Sequence, residues 1–271
     1  MRRGYSCTML KCHQPGYSIE SVTNATTIDL LRRLLSRDDY VGIAEKIRKD
    51  SDATNLLEFT LHVLRRGNLS NWDATMDVGR RARRLMFKII SKTPVVPRSF
   101  IVTGVSMSDK RDYIGRGGYG NVFKGEFRGT VVALKVLYKN DANNLVSFHC
   151  MFLRRRCLFS FQQAFCREAL MWGSLEHNFV LPFIGIHEDE DGMAFFVSPY
   201  MKNGTLAQWR KNTNPSIAQI TERVWFSFLL LSFIITHLSK ILEVAQGMEY
   251  IHSEGVVHGD LRGVCWLNHV F

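Results

Sequence analysis

Cysteine is sparse in this chain of 271 residues, and Cys7, Cys12, Cys150, Cys157, Cys166 and Cys265 form neither a Cys-x-x-Cys pair nor a dense cluster. That argues against a disulfide-stapled secreted scaffold and leads us to expect reduced thiols. A secretory leader is not expected either, since Met1-Arg2-Arg3-Gly4-Tyr5-Ser6-Cys7 leads into no apolar stretch. No internal repeat is evident. The longest hydrophobic run, Val224 to Leu238, carries His237 and several hydroxyls. It falls short of the roughly 20 apolar residues a bilayer core needs, so a membrane span is not expected, although a hydropathy window would flag it. Acidic residues are outnumbered, 25 against 35 basic, for a formal charge of +10.

A basic balance raises the question of an acidic partner. Arg154, Arg155, Arg156 and Lys240 lie in segments that look foreign to their surroundings. Arg80, Arg81, Arg83, Arg84 and Lys88 form a more credible basic helix face, with Met76, Leu85, Met86, Ile89 and Ile90 as apolar partners. The expectation is a solvated face rather than a lipid or partner groove, and no nucleic-acid partner is expected. At 46% hydrophobic residues the chain has ample material for a core, and its length fits one domain plus an appendage.

The appendage comes first. Residues 1–26 are expected to be disordered, and residues 27–92 read as about four amphipathic helices. Thr27, Ser51 and Ser70 are candidate starts. Leu30, Leu31, Leu34 and Leu35 share one face, followed by Ile43 and Ile47, then Leu56, Leu57, Leu61 and Leu64. Pro94 and Pro97 end this module, placed at 27–98, which is expected to pack on itself or on the domain C-terminal to it.

The most informative stretch is Ile114-Gly115-Arg116-Gly117-Gly118-Tyr119-Gly120-Asn121-Val122-Phe123-Lys124-Gly125, followed by Val131-Val132-Ala133-Leu134-Lys135. Gly115, Gly117 and Gly120 stand where a turn brings bare N–H groups against anionic oxygens, and a side chain there would hold phosphates off. Gly-x-Gly-x-x-Gly alone also serves dinucleotide-binding folds, where a helix follows it. Here Asn121 to Phe127 alternates apolar and polar residues, so a strand follows.

A Gly-rich turn between two strands, then a strand carrying Val-Ala-Leu-Lys, resembles the eukaryotic protein kinase family. The resemblance spans roughly residues 100–264. It implies that Ile114 to Val122 and Ala133 line the ATP site, with Lys135 on the phosphates. Glu168, in Phe165-Cys166-Arg167-Glu168, is implied as the αC carboxylate that pairs with Lys135. Leu181 to Glu188 and Met193 to Met201 read as the next strands, and Ser198, Pro199, Tyr200 and Met201 fall where the family has its gatekeeper and adenine-binding hinge. His258-Gly259-Asp260-Leu261-Arg262-Gly263 is similar to the catalytic loop, with Asp260 as the implied proton acceptor. Its Gly-Asp-Leu-Arg-Gly form resembles the tyrosine-kinase-like branch, whose members mostly phosphorylate Ser or Thr. Gly259 replaces the usual Arg that binds an activation-loop phosphate.

The chain also departs from the pattern. Cys265 stands where the family has a metal-binding Asn, and no Asp-Phe-Gly follows before Phe271. The ligands for the Mg2+ that the resemblance implies are thus missing as written, and turnover by this polypeptide alone is expected to be feeble or nil. Residues 145–163 and 224–240 contain no acidic residue and interrupt helices the family keeps continuous. Deleting the second aligns Ile220, Ile241, Val244, Ala245, Met248 and Ile251 on one stripe. The residues at their edges, Val146 and Gln162, Val224 and Lys240, and Val264, suit in-frame GT and AG intron ends. The reading is translated intron sequence at 145–163, 224–240 and 264–271.

The expected fold is therefore α+β: a kinase-like N-lobe of antiparallel sheet plus αC within residues 99–271, an incomplete helical C-lobe and an N-terminal helical extension. The expected function is ATP-dependent phosphoryl transfer to a protein hydroxyl, Ser or Thr rather than Tyr, in the cytoplasm. The alternative is a catalytically inactive ATP-binding fragment or pseudokinase scaffold.

Overall fold

The computed structural model describes residues 25–65, 77–107, 113–117, 120–137, 159–190, 192–202, 204 and 226–257. The extension forms helices α1 (Ala25–Ser36), α2 (Ile43–Lys46), α3 (Asp50–Arg65) and α4 (Val78–Lys92). Helix α3 opens with Asp50 and Asp52 in its first turn, where carboxylates oppose the positive end of the helix dipole. Helix α4 is capped by Asp77, whose side chain accepts from the Arg80 N–H at 2.9 Å. The start proposed at Ser70 lies outside the described residues.

Each helix turns its apolar stripe inward. Leu31, Leu35, Leu57, Leu61, Leu85, Met86, Ile89 and Ile90 are all buried. Leu30 is 60% exposed, because its position falls just off the stripe set by Leu31 and Leu35. The arginine-rich face of α4 is not simply solvated. Arg81 donates to the carbonyls of Leu35 and Arg37 at the end of α1, both at 2.6 Å, and Arg83 is only 5% exposed. Lys88 and Lys92 both meet Glu45.

Six strands follow: β1 (Val105–Met107), β2 (Tyr113–Gly117), β3 (Gly120–Phe127), β4 (Thr130–Leu137), β5 (Gly185–Glu188) and β6 (Ala194–Pro199). They form one antiparallel sheet in the order β1-β3-β4-β6-β5, with β2 also paired to β3. The strand expected over Leu181 to Glu188 begins only at Gly185. Pro182 has no N–H to give a ladder, and the Leu181 carbonyl accepts from Trp172 Nε1 at 2.6 Å instead.

Helix α5 (Phe159–Gly173) lies on one sheet face. Its Phe165 stacks on Phe196 at 4.5 Å between ring centroids, and Phe165, Ala169, Leu170 and Trp172 share one buried cluster with Phe196, Ile186 and the inward residues of α1, α3 and α4. The opposite face buries Val105, Phe127, Val132, Leu134, Val136, Phe195 and Val197. This alternation follows from the two-residue period of strands. The extension and the N-lobe thus share a core across residue 98.

The connection is short and tight. Phe100 is 1% exposed, Val102 N–H donates to the Ile186 carbonyl at 2.9 Å, and Ile101 bridges Ile186 in parallel. Helix α6 (Phe226–Ser253) closes the described chain and packs Ile251 with Leu175, Val180 and Val256. It is continuous through residues 226–240, and α5 likewise begins within the segment set apart at 145–163. On the stripe expected along α6, Ile251 is buried and Val244 and Met248 pack partly against that cluster. Ile241 is 60% exposed, and Ile220 lies outside the described residues. Among the described residues no helix is long and apolar enough to cross a membrane.

Candidate nucleotide cleft

The strand period decides which residues can face a ligand. On β4, Val132, Leu134 and Val136 fill the outer core, so Ala133 and Lys135 point to the α5 side. Strand register lines Gly115, Val122, Lys135 and Phe196 in one row across β2, β3, β4 and β6, and Lys124, Ala133 and Ser198 in the next. Phe196 carries α5 on its ring, which brings Glu168 over Lys135. Lys135 Nζ donates to Glu168 Oε1 at 2.6 Å, with each side chain about a third exposed (31% and 32%). The pair is thus about a third open to solvent, and its stabilising worth is correspondingly small. Its consequence is positional: the ammonium is held on the cleft side of the sheet.

The glycine-rich hairpin joins β2 to β3. Gly117 pairs with Gly120, and Gly118 and Tyr119 between them lie outside the described residues. A bulge between Tyr113 and Gly115 surrounds Ile114, which is partly buried. A Cβ built at Gly115, in the row of Lys135, meets no atom of the described residues within 4 Å. Arg116 pairs with Asn121 one register step beyond. Asn121 itself is out of phase with Val122 and shares the phase of Phe123, which packs on the outer core.

Ser198 is buried at the end of β6 opposite Ala133. Tyr200 follows, its N–H donating to the Val131 carbonyl at 3.4 Å, and the Met201 carbonyl accepts from Gly204 N–H at 3.0 Å. Lys124 Nζ stands 5.1 Å from the Tyr200 ring centre, a cation–π contact between β3 and the strand-to-helix connection. Cys166, two residues before Glu168, is buried against the core, and burial pushes its thiol up to about 12. It is no nucleophile at neutral pH.

The structure therefore brings Gly115, Val122, Ala133, Lys135, Glu168 and Ser198 to one face, with Tyr200 and Met201 at its edge. Asp260 lies outside the described residues, so its relation to the cleft is not part of this geometry. For Mg2+, a hard cation that takes oxygen ligands, the thiol of Cys265 is a poor substitute for an amide oxygen. Among the described residues no group of three or more His, Cys, Asp or Glu gathers to hold a metal. Cys265 lies outside the described residues; its thiol does not fit that ion, and no described cluster of three or more such side chains does.

Arg83, expected on a solvated basic face, is instead buried against Ser174 and Glu254, a link the sequence did not show. Arg83 Nε donates to Ser174 Oγ at 3.1 Å, Nη1 donates to the Glu254 carbonyl at 2.9 Å, and Nη2 pairs with Glu254 Oε2. A signal was present: Arg83 falls at helical spacing from Met86 and Ile90, on the apolar stripe of α4 rather than beside it.

The family profile described as "Protein kinase domain" matches residues 108–264. Among curated proteins, the Dictyostelium discoideum protein named "Probable serine/threonine-protein kinase kinX" is 29% identical over 151 residues, covering 55% of this chain and 11% of that protein. The serine/threonine-protein kinase TNNI3K of Mus musculus is 29% identical over 153 residues, covering 56% of this chain and 15% of its own. The tyrosine-protein kinase SPK-1 of Girardia tigrina is 27% identical over 151 residues, covering 55% and 24% respectively. The chain spans less than a quarter of the length of any of these three relatives. With more than half of its residues matched to the kinase profile, and a curled antiparallel sheet bearing a helix of the kind the motifs imply, the chain belongs to the protein kinase family, a family of enzymes.

Proposed function

We propose that the chain binds ATP between the Gly115–Gly120 hairpin and Lys135, and that the protein to which it belongs transfers the γ-phosphoryl group to a Ser or Thr hydroxyl of a protein substrate. The observation that carries this reading is the 2.6 Å contact of Lys135 Nζ with Glu168 Oε1. An ammonium held by a carboxylate, in the same cross-strand row as Gly115, is poised to meet α- and β-phosphate oxygens. Ile114, Val122 and Ala133 would sandwich the base, and Ser198, Tyr200 and Met201 would edge it. Asp260 would accept the hydroxyl proton. The Gly-Asp-Leu-Arg-Gly form of residues 259–263 favours Ser or Thr over Tyr. A cytoplasmic setting belongs to the same proposal.

Cys265 in the Asn position favours a second reading for this form of the chain: nucleotide binding without turnover. That reading goes with the proposal that 145–163, 224–240 and 264–271 are translated intron sequence. Message lacking all three segments supports it, and message containing all three refutes it.

Lys135→Met separates the enzymatic readings. Mg-dependent phosphate incorporation by purified protein that the substitution abolishes supports transfer. A nucleotide-induced rise in melting temperature that Lys135→Met removes, with no label transferred, supports binding alone. If ATP neither shifts melting nor labels any protein, both readings fail.

A further inference from the structure

We propose that Arg83 is a positioning residue through which the helical extension holds the end of α5, the helix that carries Glu168, at a fixed spacing from the end of α6. The inference rests on the ATP reading above for its functional consequence, but its structural part stands on separate contacts.

Arg83 is 5% exposed, and a buried cation is costly unless it is paired and hydrogen-bonded. Its three donor contacts go to two helix ends. Ser174 immediately follows α5, and its hydroxyl donates onward to the Met171 carbonyl at 2.9 Å while accepting from Arg83. Glu254 immediately follows α6, and its carbonyl and carboxylate both receive the guanidinium. The end of α6 is closed by Gly255 at φ +74°, with Val256 N–H donating to the Ile251 carbonyl at 2.8 Å and Gly255 N–H to the His252 carbonyl at 2.9 Å. Arg83 thus adds a cation where α6 presents the negative end of its dipole. Lysine could not span these acceptors, because only the planar fork reaches both ends at once.

Two further details support a built connection. Gly79, one turn before Arg83, has no side chain to obstruct Glu254: a Cβ there would come within 3.2 Å of both Arg83 Nη1 and Glu254 Oε2. The extension also grips the end of α5 a second time, through Arg65 Nε donating to the Gly173 carbonyl at 2.7 Å. Successive residues at the end of the helix that carries Glu168 are therefore held by α3 and α4. Glu254 lies six residues before Asp260 in sequence. A buried ion pair adds little net stability over an apolar side chain of the same volume, so stability alone is a weak reason for Arg on this stripe. Fixing α5 against α6, and with α5 the position of Glu168 over Lys135, is what an apolar residue could not do.

The test uses the full chain and its Arg83→Met and Glu254→Gln variants, at a temperature where circular dichroism shows each folded. Two readings are taken: the Kd of a non-hydrolysable ATP analogue by calorimetry, and hydrogen exchange over 165–175 and 248–256. The expected result is affinity weakened about fivefold or more, the lower end of coupling between separated sites, with faster exchange in both segments. Should Arg83→Met fail to fold, Glu254→Gln keeps the shape and carries the same readings. Unchanged affinity in the folded variants overturns the proposal, as does exchange that rises over 248–256 alone. If the unaltered chain binds no analogue, the ATP reading fails by itself. Exchange then decides: a joint rise upholds Arg83 as the link between the helices, and any other pattern refutes it.

Discussion

Phe100 packs at the junction between the helical extension and the sheet, and a double-mutant cycle can measure its fit. Phe100 lies against Gly173, the last residue of α5: a Cβ built there would clash with Cζ and come within 2.9 Å and 3.1 Å of Cε1 and Cε2. Those three atoms are the ones a leucine lacks. Gly173→Ala in the unaltered chain should therefore overpack the site and cost about 1–3 kcal/mol, offset by at most about 1 kcal/mol of improved helix propensity. Phe100→Leu alone should cost about 1–2 kcal/mol, from lost burial and the cavity left beside Phe183, whose ring centre lies 4.9 Å away. In the Phe100→Leu background the added methyl occupies vacated space, so Gly173→Ala should become neutral or stabilising. Urea unfolding with an unchanged m-value gives the four stabilities, and the expected coupling is at least about 1 kcal/mol. If Gly173→Ala costs the same in both backgrounds, Phe100 is not wedged where this packing puts it.

Gly115→Ala should leave stability within about 0.5 kcal/mol, since its Cβ meets no described atom within 4 Å, yet weaken an ATP analogue about tenfold by adding a methyl group to the hairpin proposed to cover the phosphates; thermal melts with and without the analogue check both halves. Cys166 should resist alkylation at pH 8 while the chain is folded and react fully in denaturant, read by mass spectrometry of its own peptide. Its pKa in the fold, about 12, lies above the ordinary 9.0, so the fold retains the proton. Its contribution to stability is then fully present below pH 9.0 and lost as pH rises towards 12. Cys166→Ser should flatten that alkaline decline in a pH series of unfolding midpoints.

The strand placement of the candidate cleft residues was legible because it rests on short-range patterns. Alternation along β4 fixes Ala133 and Lys135 on one face, and the apolar-polar run after Gly120 distinguishes a strand from a helix. Glu168 could be matched to Lys135 only through the family resemblance, for nothing local links residues 33 positions apart. Asn121 shows the limit of a motif: it belongs to the glycine signature, yet strand phase sends it to the side of Phe123. The arginines of α4 were harder to read. Charge alone suggests solvent, but Arg83 occupies a stripe position and meets Glu254 from 171 residues away, a partner no window on the sequence contains. The helices of the extension were visible in outline, while Asp77, the cap of α4, was not singled out, because the first N–H groups of a helix choose whichever oxygen the chain entry presents. The exposed Ile241 departs from the stripe drawn through α6, whose register holds only where Leu175 and Val180 lie against it.

The continuous interior that runs from Leu57 and Ile90 through Phe165 to Phe196 has a practical corollary for anyone expressing this polypeptide. Trimming it to begin near residue 99, as the family boundary invites, would strip the greasy back of the Glu168 helix and leave Phe165, Leu170 and Trp172 facing water. Such a fragment should aggregate, whereas one starting before Ala25 keeps that surface clothed.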